Sequence, residues 1–423
     1  MAAPSLALIP SAYKVGKVAS VKPMNGKGDF TFTRNSEATR INENGIIETM
    51  GVDVPRIDHT DGGCPSLLLE PASTNLITYS QVFSGYSGSN KVITDNVTIS
   101  PDGTVTGAIL SDDNSGGVDV VQIFDNVTVD VSSIYTWSIF AKKKDLDFIS
   151  LRLNAFSTPS NDNSYFDLNL GTVVSEGNGQ TATIENYGNG WYRCSITFTT
   201  DAVDTSGTLV VRLSDNGTNT IVDLDNTSNI YIWGAQLEQN SYATSYIPTN
   251  GTAVTRGKTA IVSEDLNSSG VINSTEGTYY INMKFPLSTS RIASTGGFVL
   301  GSTASFPSSQ SLEIAMDADG SFRVGKRDGS FSQIYDTVGD AYHRVAFKWD
   351  SLSVKLFVGG FLVYTGSYTT TPFKYLYSDN GDGSKFIKEI KLFKTALTDA
   401  ELIALTSWSS FTEMATALKY SIQ

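Results

Sequence analysis

Histidine and cysteine, on which much enzyme chemistry depends, are nearly missing. The 423 residues hold two histidines, His59 and His343, and two cysteines, Cys64 and Cys194. Two histidines cannot furnish a His-based metal centre, and no H-E-x-x-H or Cys/His ligand spacing occurs. Two cysteines so far apart cannot frame a disulfide scaffold, so both are expected reduced and buried, with stability left to packing. No G-x-S-x-G elbow is present, which removes the usual signature of a serine hydrolase. A glycosidase would need two facing carboxylates, and no E-x-D-x-x-E string supplies them. Glu313, Asp317 and Asp319 come nearest, but Asp319-Gly320 reads as a hairpin turn. The chain is therefore not expected to be an enzyme.

Charge is also sparse. Charged residues make up 17% of the chain and the formal net charge is −13. That balance argues against nucleic acid, because neutralising phosphates takes Lys and Arg. The basic cluster Lys142-Lys143-Lys144 is followed directly by Asp145 and Asp147 and reads as a solvated strand end. No run approaches the roughly 20 apolar residues of a membrane helix, so membrane insertion is not expected. The N-terminal M-A-A-P-S-L-A-L-I-P has no positive n-region and is interrupted by Pro4 and Pro10, unlike a signal peptide. Seven N-x-S/T sequons then read as chance in an Asn- and Thr-rich chain.

What is abundant is Ser, Thr, Asn, Gly and aromatics, the last at 11%. With frequent turn formers and no long amphipathic helix before the C-terminus, this describes an all-β protein. The length suggests about three units. Residues 1–72 form a short segment with too little apolar surface to fold alone. In it Phe30–Thr33 alternates like a strand, Asn44-Gly45 reads as a hairpin turn, and Leu67, Leu68 and Leu69 make a strand ended by Pro71. Such a segment should pack on a neighbouring domain, a second copy or a larger particle. Residues 73–255 read as a complete antiparallel sandwich. Its candidate strands are 91–99, 104–111, 118–124, 134–141, 147–154, 164–168, 172–175, 181–186, 191–199, 207–214 and 229–237. A Ser/Asn/Gly-rich linker, 256–275, leads to a second sandwich, 276–407. Period-two alternation runs from Val345 to Trp349 and from Val354 to Val358, broken by Asp350-Ser351 and turned by Gly359-Gly360. Thr398 and Glu401 make a capping box for a helix whose apolar side is Ala400, Leu402, Ile403 and Leu405. A tail helix over 408–423 would carry a second cap, Ser410 with Glu413.

Several stretches resemble three known families. H-R-V-A-F-K-W-D…L-F-V-G-G, then F-I-K-E-I-K-L-F-K-T-A-L-T-D-A-E-L (343–402), resembles the end of laminin-G-like, concanavalin A-type lectin domains. Tyr342 stands in that pattern's first Trp place, and Gly359-Gly360 replaces its Asp-Gly turn. Y-T-W-S-I-F-A-K, N-G-W-Y-R-C-S-I-T-F and Y-I-W-G-A-Q-L-E look like segments of carbohydrate-binding-module jelly rolls. F-T-R-N-S-E-A-T-R-I-N-E-N-G-I-I-E, V-P-R-I-D and G-G-C-P-S-L-L-L-E-P-A-S-T-N-L resemble a segment of bacteriophage head-spike, head-fibre or tail-fibre proteins. Q-L-E-Q-N-S-Y-A-T-S-Y-I-P-T, which closes the first sandwich, is similar to the same family. The resemblance implies a virion surface component made in a host cytoplasm. It implies that 1–72 attaches or oligomerises, with Arg34, Arg40, Arg56 and Leu68 as candidate contacts. The partners then expected are further copies of the chain, as a homotrimer, phage capsid or tail proteins, and host-surface glycans.

Sugar recognition normally stacks an aromatic ring on a pyranose and binds hydroxyls with carboxylates and amides. Trp137, Trp191, Trp233 and Trp349 lie inside alternating strands and read as core. The loop aromatics Tyr86, Phe156, Tyr187, Tyr242, Phe306 and Tyr377 are the candidate sugar platform. Asp379, Asn380 and Asp382 cluster in one polar loop and are candidate calcium ligands. The expected function is adhesion to glycans by a phage head-fibre or tail-fibre component. The alternatives are a capsid decoration or adaptor without glycan binding, and a depolymerising tailspike.

Overall fold

The computed structural model describes residues 2–22, 25–159, 161–285, 295–304, 310–316, 321–328, 330–338, 342–351, 353–367, 373–378 and 383–408. The described chain is all-β, with every strand pairing antiparallel and one short helix, Asp399–Thr406. It divides into two units. One is built from residues 41–48 and 73–256, the other from 1–40, 49–72 and 257–423.

The unit around residues 73–256 is a sandwich of two six-stranded sheets. The first runs Ser87–Ser89, Gln122–Thr128, Ser206–Ser214, Phe148–Asn154, Asn163–Asp167, Thr172–Ser175. The second runs Lys91–Thr98, Gly107–Asp112, Asn229–Glu238, Ile134–Lys143, Trp191–Thr199, Gln180–Asn186. Alternation decides what each strand buries. Tyr135, Trp137, Ile139 and Ala141 meet Ile149, Leu151, Leu209 and Val211 in the core between the sheets. The expected strand 118–124 divides at Val121: Val118–Val120 pairs with Ile221–Asp223, while Gln122–Thr128 joins the first sheet.

Phe140, on the far side of the same central strand, belongs to a second cluster with Ile47, Trp191, Trp233 and Tyr246. Phe140 meets Trp233 edge-on at 5.2 Å, and Trp233 lies 4.5 Å from Tyr246. The chain turns at Asn44-Gly45 but not as the expected two-residue hairpin: Gly45 N–H donates to the Asn42 carbonyl at 3.0 Å, and of the pair only Gly45 takes a positive φ, +75°. Ile47 on its return strand is buried in the aromatic cluster, and its N–H donates to the Pro101 carbonyl at 2.9 Å.

A buried polar clasp joins the start of this sandwich to its end. Asn75 donates through Nδ2 to the carbonyls of Ala235 (3.1 Å) and Ile247 (2.9 Å). Its Oδ1 accepts from the N–H groups of Ile77 and Leu237, both at 3.1 Å. Glu238 accepts from Ser73 Oγ at 2.6 Å, from Gln236 Nε2 at 2.6 Å and from Thr244 N–H at 2.9 Å. Asn75 and Glu238 are fully buried.

The other unit packs an eight-stranded sheet and a nine-stranded sheet around one core. Here the structure departs from the expected division. Residues 1–72 are not a separate unit: most of their strands complete these two sheets, so of the three packings expected for the segment it takes the one on a neighbouring domain. Leu6–Leu8 pairs with Ile390–Leu392, and Ser66–Leu69 pairs with Lys385–Ile387. Phe30–Thr33 pairs with Ala260–Ser263. Leu6, Leu8, Phe30, Phe32, Leu67 and Leu69 are buried in the same core as Tyr279, Phe347 and Trp349. Pairing across more than 300 residues leaves no local mark, so a short strand and an attachment arm look alike in sequence. The expected linker is likewise part of the fold. Ala260–Ser263 is a strand, and Leu266, Val271 and Ile272 are buried anchors hidden among Ser, Asn and Gly. Ser351 and Gly359-Gly360 turn the chain with positive φ where the hairpins were expected. Cys194 is buried, but Cys64 is exposed, contrary to expectation, because G-G-C-P lies in the loop before Ser66–Leu69.

The Thr398–Glu401 capping box forms. Of the expected apolar side only Leu402 is buried and Leu405 packs beside it, while Ala400 and Ile403 are exposed. The tail helix expected over 408–423 lies outside the described residues from 409 onward. Asp399, at the first helical position, accepts from Lys355 Nζ at 2.6 Å and Lys348 Nζ at 3.3 Å. The Lys355 hydrogen bond, with help from Lys348, holds its carboxyl below the usual range. A carboxyl depressed in the folded state contributes stability above its unfolded pKa of about 3.9 and loses it as pH falls through the folded value. Asp399→Asn should therefore lower the melting temperature at neutral pH, and its deficit against wild type should shrink as pH falls below about 3.9 and through the folded value. A deficit independent of pH would contradict the ion pairs.

Candidate functional site

Most of the residues singled out from sequence are committed to the fold. Phe156 is 3% exposed and packs on Phe198 at 5.3 Å, so it offers no ring face to a sugar. Tyr242 and Tyr377 are also buried. Tyr187 is half-buried, edge-on to Phe140 at 4.8 Å. Tyr86 is half-buried, rests on Phe83 at 5.1 Å and donates its hydroxyl to the Tyr79 carbonyl at 3.0 Å. It lines a small apolar cavity with Ile77, Ile123, Trp137 and Asp125. Burial there, with the Asp125 charge adding, pushes the Tyr86 hydroxyl well above its ordinary pKa. Three of these five rings are thus buried, and Tyr86 and Tyr187 rest on different neighbours, Phe83 and Phe140. Phe306 and the candidate calcium ligands Asp379, Asn380 and Asp382 lie outside the described residues.

The candidate attachment residues are internal ties. Arg34 is 1% exposed and donates to the carbonyls of Ser36 (2.9 Å), Val54 (2.9 Å), Met50 (3.2 Å) and Gly51 (2.6 Å), holding the chain around the 50–54 turn. Arg56 is fully buried and ion-paired with Glu70. Half-buried Arg40 donates to the Ile57 carbonyl at 2.9 Å, and Leu68 is a buried strand residue. Arg34, Arg56 and Leu68 are buried and not placed to reach an outside partner: an arginine whose donors are spent within its own fold has little left to offer.

A different constellation lies on the outer face of the first sheet. Where Ile123, Leu209, Val211, Leu151 and Leu153 point into the core, the alternate positions point away from it. Register aligns these outer positions in rows across adjacent strands. One row is Gln122, Arg212, Ser150 and Tyr165; the next is Phe124, Val210, Arg152 and Asn163; the third is Asn126, Thr208 and Asn154. A row crossing four strands is about 14 Å long. The side chains fix one another in place. Arg212 Nε donates to Gln122 Oε1 at 2.9 Å, Arg152 Nε to Asn154 Oδ1 at 2.6 Å, Thr208 Oγ1 to Asn126 Oδ1 at 2.8 Å and Ser150 Oγ to Asn163 Oδ1 at 3.1 Å. Val210 and Ser150 are buried beneath, and Tyr165 is 8% exposed.

The two arginines are the unusual part. Both are half-buried and occupy diagonal positions on neighbouring strands, since Arg152 pairs with Val210 and Arg212 with Ser150. Diagonal neighbours on a sheet lie within reach of each other's long side chains. Neither forms an ion pair among the described residues, and each uses only Nε on the protein, so the terminal amines lack a protein acceptor there. The Tyr165 hydroxyl also has no hydrogen-bond partner among them. Burial and then the like charge of Arg152 make Arg212 easier to deprotonate than an ordinary arginine. Burial raises the Tyr165 hydroxyl, against the opposing pull of Arg212. The neighbouring carboxylate, Asp162, accepts from the N–H groups of Asn178 and Asn163, both at 2.8 Å. Those two bonds chiefly hold its pKa down, with Arg152 contributing less.

No family model and no curated protein sequence matches this chain. Solved structures similar to it include the CBM40 of the Ruminococcus gnavus IT-sialidase, at 20% identity and TM-score 0.26, covering 34% of this chain and 91% of that one. Domain 4 of AbnA, a GH43 extracellular arabinanase from Geobacillus stearothermophilus, in complex with arabinotriose, is 17% identical with TM-score 0.28, covering 40% and 81%. The Trypanosoma rangeli sialidase is 10% identical with TM-score 0.29, covering 89% and 77%.

The Arg152, Arg212 and Tyr165 face lies away from the loop aromatics to which the sequence pointed. Its signal was present in the alternation: L-R-L-N (151–154) and V-V-R-L-S (210–214) each place one arginine opposite a leucine-lined inner face. Only the cross-strand register brings the two together.

Proposed function

We propose that this chain is a non-catalytic structural protein of a phage virion surface that adheres to glycans through the outer face of the Gln122–Thr128, Ser206–Ser214, Phe148–Asn154 and Asn163–Asp167 sheet. The observation that carries the reading is the set of three rows, in which amides, hydroxyls, guanidinium groups and a phenol share one sheet face. These are the groups that answer sugar hydroxyls, and their mutual hydrogen bonds hold them ready before a ligand arrives. The rows contain no carboxylate, so they offer neither the acid nor the base of a glycosidase. The virion setting is supported by the phage-like motifs of residues 30–76 and 236–249. Adhesion of this kind is weak per site, and many copies on a particle, arranged as homotrimers, turn it into avidity without new contacts.

A glycan array probed with the full chain, run beside an assay for released reducing ends, tests the reading. Binding without release is expected, and antibody labelling of intact particles should decorate their surface. Release of reducing ends would overturn the non-catalytic reading. An array without a binder, with the chain co-purifying with capsid, would leave a decoration protein instead.

A further inference from the structure

We infer that this face selects acidic glycans, with one oxyanion of the sugar held between Arg152 and Arg212. The inference rests on the glycan-binding reading and adds the ligand's charge. Two half-buried guanidinium groups of like sign stand on diagonal positions with no ion pair among the described residues. Each spends Nε on a neighbouring amide, Asn154 or Gln122, which fixes its plane and leaves the paired terminal amines for a ligand. A planar guanidinium offers its donors as a fork that fits carboxylate and sulfate oxygens two at a time. A neutral hydroxyl could accept from one arginine but would leave the repulsion between the two charges in place. An oxyanion relieves it. The protein as a whole carries −13, so a local positive pair on this face runs against the background charge. Such a pair gains most when an anion completes it.

The test is calorimetric titration of the full chain with four oligosaccharides of similar length: one bearing uronic acids, one sialylated, one sulfated and one neutral. At least one acidic oligomer should bind about tenfold or more tightly than the neutral one, the value of one charge-assisted bidentate contact. High salt should narrow that gap. Gain by the carboxylated probes assigns a carboxylate to the site, and gain by the sulfated probe alone assigns a sulfate ester. Arg152→Gln and Arg212→Gln should each erase the gap of about tenfold, the acidic oligomers losing affinity by that much more than the neutral one, with the melting temperature near wild type. Arg→Lys at either position should keep the salt dependence and lose much of the affinity. Equal binding of acidic and neutral oligomers by the wild type would overturn the inference and leave the glycan reading standing. An acidic preference untouched by both Gln variants would overturn it as well. Failure of every oligosaccharide to bind would instead count against the glycan reading itself.

Discussion

Replacing Glu70 by alanine is expected to destabilise the unit built from residues 1–40, 49–72 and 257–423 by about 3–5 kcal/mol. Arg56 and Glu70 are 0% and 3% exposed in their side chains, so the variant strands a buried guanidinium. The loss would spread, because the pair joins distant segments. Arg56 also donates to the Thr39 carbonyl at 3.1 Å and to Thr259 Oγ1 at 3.2 Å, and the Glu70 carbonyl accepts from Thr259 N–H at 2.8 Å. Urea melting should show the shift, with amide exchange in Ser66–Leu69 rising first. Replacing both partners by apolar residues of similar volume should recover much of it, since the lone charge and not the missing pair is the main cost. A Glu70→Ala protein melting with wild type would show that water reaches the pair.

The second large effect is expected at Asn75. Its side chain makes four hydrogen bonds to main-chain groups of residues 77, 235, 237 and 247 with no exposure to water. Alanine leaves those buried amides and carbonyls unpaired, at about 1–3 kcal/mol for each that water cannot reach. A loss of about 3 kcal/mol or more in the 73–256 sandwich is expected from denaturant titration. Asn75→Asp should not rescue it, because it keeps the acceptor, loses the donor and buries a charge. A loss below about 0.5 kcal/mol would place Asn75 outside the clasp's energetics.

Local pattern carried much of the fold. The alternation of Val345, Phe347 and Trp349 and the Thr398–Glu401 box each depend on residues a few positions apart, and each formed as expected. What sequence could not supply was pairing at long range. Nothing near Leu67 says that its strand will meet Lys385–Ile387, and nothing near Leu6 points to Leu392. The same limit explains the sites. The phage-like motif made Arg34 and Arg56 look like contacts for a partner, yet their acceptors are Gly51, Val54 and Glu70 of their own fold. Asn75, in T-N-L, and Glu238, in Q-L-E, belong to the same motifs, and they close a sandwich on itself. Arg152 and Arg212, by contrast, sit in no motif, and their proximity exists only once two strands 58 residues apart are in register.

The most direct measurement is hydrogen–deuterium exchange of the full chain with and without a saturating acidic oligosaccharide. Protection should concentrate in Gln122–Thr128, Phe148–Asn154, Asn163–Asp167 and Ser206–Ser214, and Arg212→Gln should remove it. Protection confined to the 343–403 region, or to loops away from these strands, would contradict the placement of the ligand on this face.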